Sequence, residues 1–160
     1  MTLRYRDILA IDPGTSLSAY VMLSAKGRIV YKSKCSNEKV LGVLNDAREL
    51  TTDIIAIELM QSYGNPVGKT VFETCYWIGR FIQAVDGQYI PVYRKDVAKY
   101  FLPEKKKDRP FKSTDANIRA KLIGMYPEKD LVGFKADMWS ALAIGRYVLD
   151  TNLQVSVGGK

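Results

Sequence analysis

The sequence predicts an α/β domain, a mixed sheet in which three antiparallel strands are extended by parallel strands and flanked by helices. Three observations predict it. A short apolar run, Ile8 to Ile11, delivers Asp12 into the turn Pro13-Gly14. Two more strand-like segments follow with a glycine turn between them, and beyond them strand and helix patterns alternate. At 160 residues and 47% hydrophobic content the chain is long enough for one domain with a substantial core. We read 1–150 as that domain and 151–160, with its Gly158-Gly159 end, as a frayed tail.

Each element has a local reason. Ile8 to Ile11 reads as a buried strand, and Ser18 to Leu23 and Arg28 to Lys34 as two more, with Ala25-Lys26-Gly27 turning the chain between the last two. Ser36 or Asn37 is placed to cap a helix running to about Leu50, with Val40, Leu41, Val43, Leu44 and Ala47 on its apolar face. Asp53 to Glu58 is a second buried strand. Pro66 to Val85 carries Val71, Cys75, Ile78 and Ile82 at helical spacing and ends at Asp86-Gly87. Tyr89 to Tyr93 reads as a strand and Arg94 to Phe101 as a short helix. Pro103 and Pro110 bracket a basic stretch expected to be a mobile loop, and Thr114 to Met125 and Ala136 to Leu149 are the last two helices.

Composition narrows the chemistry. The formal charge of +7 favours a polyanionic partner, although a charged surface also serves solubility. The two cysteines, Cys35 and Cys75, support neither a four-thiolate zinc site nor a disulfide framework. With no secretory signal pattern and no apolar run long enough for a bilayer, a cytoplasmic, membrane-independent protein is expected. The sequence contains no histidine, which removes Ser-His-Asp and Cys-His catalysis and histidine-based zinc sites. Acid-base or metal chemistry must therefore rest on carboxylates, lysines, tyrosines or water.

Two strands each end in an acid, Asp12 after an apolar run and Glu58 after Ile54-Ile55-Ala56-Ile57. If the strands are neighbours the carboxylates meet, and a pair of that kind calls for a proton or a hard divalent cation. If they are not, both acids simply end strands in solvated loops. Asp137 opens the final helix and Asp115 the one before it, where either carboxylate also suits a helix N-terminus.

Taken together and in order, Ile11-Asp12-Pro13-Gly14-Thr15, Ile55-Ala56-Ile57-Glu58 and Asp137-Met138-Trp139-Ser140-Ala141-Leu142-Ala143-Ile144 resemble the RuvC-type Holliday junction resolvases of the RNase H-like superfamily. The resemblance spans nearly the whole chain. The segment from Ser62 to Cys75 is similar to a phage and prophage branch, which implies a bacterial host cell. The resemblance implies a homodimer that binds branched DNA and cuts opposed strands of a four-way junction with two Mg2+ or Mn2+ ions. Asp12, Glu58 and Asp137 would be catalytic metal ligands. In such a site the acids hold two ions about 4 Å apart, one activating water and the other stabilising the leaving oxygen. At Ser140 cellular members usually carry a second aspartate. Either fewer acids suffice, or Asp115 supplies the fourth ligand, or an engineered change silences the enzyme.

Basic residues expected on the DNA are Lys69, Arg94, Lys95, Lys99, Lys105, Lys106, Lys107, Arg109 and Lys112, with a solvated basic face as the alternative. Lys99 or Lys112 could also steady phosphate charge. Tyr63, on a loop after Glu58, either stacks on an unpaired base or packs on the following helix. Two competing readings remain: an inactive junction-binding protein of the same fold, and a nucleotide-binding phosphotransferase. For the latter, Gly64 to Thr70 approximates a P-loop with three rather than four residues between its glycines. Asp12-Pro13-Gly14-Thr15 also resembles the phosphate loop of sugar kinases and actin-like ATPases, which use two such domains.

Overall fold

The computed structural model describes residues 6–50 and 54–155. Strands β1 (Ile8–Asp12), β2 (Leu17–Leu23) and β3 (Ile29–Ser36) form an antiparallel meander. Helix α1 (Asn37–Leu50) leads to β4 (Ile54–Glu58), which pairs in parallel with β1. Helix α2 (Lys69–Ala84) leads to β5 (Ile90–Val92), parallel to β4, giving the sheet order β3-β2-β1-β4-β5. Helices α3 (Arg94–Phe101), α4 (Thr114–Met125), α5 (Glu128–Leu131) and α6 (Ala136–Val155) complete the chain. No helix among the described residues is long and apolar enough to cross a membrane.

The two faces of the sheet bury alternate residues of the same strands, as the two-residue period requires. Leu9, Ile11, Ile55 and Ile57 pack with Val40 and Leu44 of α1 and Ile78 and Phe81 of α2. Ile8, Ala10 and Ala56 pack on the other face with Leu142, Ile144 and Val148 of α6 and Leu122 of α4. α6 approaches closely because Gly145 has no side chain: a Cβ there would lie 3.2 Å from that of Ala10.

Several local expectations are corrected. On α2 the buried residues are Thr74, Ile78 and Phe81, while Cys75 is exposed, so the helix is rotated from the expected stripe and buries Phe81, with Trp77 partly covered beside it. α6 continues to Val155, so the first half of the expected tail is helical, with the Thr151 hydroxyl donating to the Tyr147 carbonyl at 2.6 Å. Residues 156–160 lie outside the described residues, as does Asp53 at the start of the expected fourth strand. The basic stretch contains a 3-10 turn, Lys106–Asp108, and the Arg109 guanidinium donates to the carbonyls of Leu102 and Glu104, both at 3.1 Å. Those bonds give the loop more structure than its prolines predict.

The turn after β1 is held from three sides. The Gly14 amide donates to Ser18 Oγ at 3.0 Å, and the Ser18 hydroxyl donates to Asn37 Oδ1 at 2.6 Å. Asn37 Nδ2 returns to the Gly14 carbonyl at 3.0 Å. Asn37 is fully buried and fastens the turn instead of capping α1, whose first turn is met by Ser36 Oγ accepting from the Lys39 amide at 3.4 Å. A Cβ on Gly14 would lie 2.2 Å from the Leu17 carbonyl oxygen, which is backbone and cannot swing aside. Gly14→Ala is expected to cost about 3 kcal/mol, the upper end for overpacking. Thermal unfolding would show this as a fall in Tm of roughly 6–12 °C, and an unchanged Tm would contradict the role given to this turn.

Candidate active site

Strand register brings the first two acids together. Ile11 of β1 pairs with Ile57 of β4, so Asp12 and Glu58, each the next residue, leave adjacent strand ends side by side. Their parity with Ile8, Ala10 and Ala56 turns both toward the α6 face of the sheet. Asp12 also pairs with Ala19 of β2, and Ala19 with Lys34 of β3. Directly opposed residues share a face, so one row runs across the sheet from Lys34 through Ala19 to Asp12 and Glu58. Ala19, between the lysine and the acids, is fully buried in the core on that face. Above that row the first turn of α6 supplies Asp137, which forms an ion pair with Lys34.

At the other end of the row, Val92 pairs with Glu58, and two residues later Arg94 opens α3. Arg94 forms an ion pair with Asp115 in the first turn of α4. Ser113 caps that helix by accepting from the Ala116 amide. Asp12, Glu58, Arg94, Asp115, Asp137 and Ser140 all line one cavity of about 740 Å³.

Electrostatics in this cavity are set by burial and crowding. Burial pushes the Asp12 carboxyl up to about 8; the charge of Glu58, the hydrogen bond shared with it and the charge of Asp137 push the same way, while Arg94 pulls it down. Glu58 is also raised, mainly by burial, with the bond from Asp12 and the Arg94 charge opposing and Asp115 adding to the rise. Both shifts run toward protonation, with Asp12 the donor in its bond to Glu58. Among the described residues no three His, Cys, Asp or Glu side chains converge as a preformed metal cluster. Asp137 is engaged by Lys34 and Asp115 by Arg94 instead. The donor set is nonetheless all carboxylate oxygen, and two crowded acids that resist joint ionisation suit a hard divalent cation.

The remaining expected site residues lie around this centre at differing distances from it. Tyr63 is 55% exposed on the loop between β4 and α2, next to Gly64 at φ +84°. Lys69 is almost fully exposed at the start of α2, 3.5 Å from Glu73. Lys95, Lys99, Lys105, Lys106, Lys107 and Lys112 are exposed on α3 and the following loop. The cations lining the cavity are Arg94 and Arg119 rather than Lys99 or Lys112. Sequence reading missed Lys34 and Arg119. The strand register supplies the missing signal for Lys34, and local spacing carries none for it.

A parallel extension of an antiparallel meander, with helices on both faces, defines the fold, and acids stand at the ends of β1 and β4. Two solved structures share this fold. T. thermophilus RuvC in complex with a Holliday junction substrate superposes with a TM-score of 0.60 at 12% identity over 96% of each chain. Thermus thermophilus RuvC gives 0.61 at 14% identity, over 95% of this chain and 96% of that one. No protein-family model and no curated protein matches the sequence. At these identities the likeness is one of fold.

Proposed function

We propose that this chain is a Mg2+- or Mn2+-dependent endodeoxyribonuclease that resolves four-way or branched DNA junctions as a homodimer. The observation that carries it is the pair Asp12 and Glu58, half-buried side by side beneath Asp137 on a fold shared with a RuvC that was captured with a Holliday junction. The formal charge of +7 and the exposed lysines of α3 and the following loop suit a phosphate backbone. A homodimer would provide the two sites that two opposed cuts require. The exposed rings of Phe72 and Tyr76 on α2 offer an apolar face for a second copy.

Asp12, Glu58 and Asp137 would hold the metal, with Asp115 as a further carboxylate on the opposite wall. Bound there, Mg2+ or Mn2+ supplies activation of water and neutralisation of charge at the leaving oxygen. The protein's own groups prepare the site. Asp12 gives up the proton it shares with Glu58, and Asp137 becomes available as it parts from Lys34. Lys34 and Arg94 keep positive charge at the two ends of the acid row, where the scissile phosphate would otherwise meet only carboxylates.

The test is incubation of labelled four-way junction and linear duplex with and without Mn2+. Metal-dependent paired cuts in the junction alone support the proposal, and equal cutting of linear duplex would overturn it. One observation favours a second reading, a junction binder with little turnover: Ser140 lines the cavity one helical turn after Asp137, where a carboxylate would complete the acid set. Ser140→Asp is expected to raise the cleavage rate by at least about tenfold and to lower the Mn2+ concentration for half-maximal rate. Junction binding without cleavage even in Ser140→Asp would support the binder instead.

A further inference from the structure

The cavity that contains the acids extends well beyond them. Away from Asp12 and Glu58 its walls are apolar or aromatic, formed by Phe111, Ala120, Ile123, Trp139 and Ala143, with Arg119 among them. Phe111 is 51% exposed and Ile123 51%, so two large apolar side chains remain open to solvent beside a charged centre.

Phe111 is exposed yet fixed. Its amide donates to Asn117 Oδ1 at 3.0 Å, and Asn117 Nδ2 donates to its carbonyl at 2.7 Å. Asn117 is 2% exposed, and its amide also bonds to the Ser113 carbonyl at 2.8 Å. A buried side chain thus clamps both backbone groups of a residue whose side chain stays half exposed. Such a clamp orders an exposed aromatic in advance, so that little freedom is lost when something stacks on it. Arg119 is likewise set in place: its guanidinium lies 4.8 Å from the centre of the Trp139 ring and makes no salt bridge among the described residues. Its donors remain for an acceptor in the cavity.

We propose that this half of the cavity is a nucleobase pocket. One unstacked base of the strand whose phosphate lies at Asp12 and Glu58 rests on Phe111, and Arg119 bonds to its edge or to the neighbouring phosphate. The proposal rests on the junction-nuclease reading and adds base recognition to the same site. Its occupant follows from the chemistry of the walls: an aromatic platform and a free guanidinium, continuous with the acid pair, match a flat heterocycle joined to a phosphate. Bases at a branch point have lost stacking on one side and leave the helix at lower cost than those in duplex. Asn117 is a positioning residue, acting through Phe111.

The test uses a four-way junction in which a single abasic nucleotide is moved one position at a time through the branch point. Affinity is read by fluorescence anisotropy in Ca2+. At one position the abasic site is expected to weaken wild-type binding about tenfold, as loss of one stacked base does. Phe111→Ala is expected to weaken binding to the intact junction by a similar factor and to have no effect on the junction abasic at that position, whereas Phe111→Trp retains wild-type discrimination. Equal weakening of both substrates by Phe111→Ala, or of neither, overturns the pocket while leaving the nuclease intact. Loss of the preference for junction over duplex in the wild-type protein would instead overturn the junction reading itself, and the pocket with it.

Discussion

Asp12→Asn is expected to abolish metal-dependent cleavage, by at least about a thousandfold, while junction binding in Ca2+ changes little. A factor of that size corresponds to about 4 kcal/mol of lost transition-state stabilisation. The carboxylate stands in the middle of the acid row, between Glu58 and the side on which Lys34 holds Asp137, so no other residue can replace its contribution. The same change should stabilise the metal-free protein. An amide removes one of two crowded acids and still donates to Glu58, so the desolvated charge that raises Asp12 is gone. The two effects have opposite signs, and that combination marks a site strained for function. Full activity in Asp12→Asn would remove the proposed centre, whatever the stability change.

The second large effect is a dependence of stability on pH in the absence of divalent metal. Asp12 moves from an ordinary 3.8 to about 8 on folding, and Glu58 moves in the same direction from 4.5. An acid whose folded-state value is raised binds its proton more tightly in the folded protein. Its stabilising contribution is complete below the unfolded value and is lost as pH rises through the folded one. Stability in EDTA should therefore fall from about pH 4 to about pH 8, each unit of difference in pKa being worth about 1.4 kcal/mol. Urea unfolding at a series of pH values reads this directly. Asp12→Asn should flatten the slope, and Mg2+ should stabilise the protein more strongly at the alkaline end, where the acids no longer hold a proton against it. Stability that rises with pH across this window would contradict the assignment.

Much of the domain is legible in local sequence because its signals are local. The apolar runs Ile8 to Ile11 and Ile54 to Ile57 already assign both acids to the same kind of position, one step beyond a buried apolar residue. The helix from Arg94 to Phe101 and the one from Thr114 to Met125 have the boundaries that their spacing predicts. The face of α2 differs from its spacing because apolar residues occupy more than one stripe, and packing with Leu44 and Ile57 selects the one that carries Phe81. The fold, with three antiparallel strands extended by parallel ones, is as predicted.

The strands, most of the helices, the lack of histidine and the order of the three acids are all readable in local sequence. It takes the packed fold to set β1 next to β4, to put Lys34 in the row of Asp12, and to face Arg94 toward acids. The packed fold alone shows that Asn37 fastens the turn after β1. The difference is one of range. Periodicity and turn chemistry act over a few residues, whereas Lys34 and Asp137 are separated by 103 positions and meet only after two strands and α6 have packed on the same sheet.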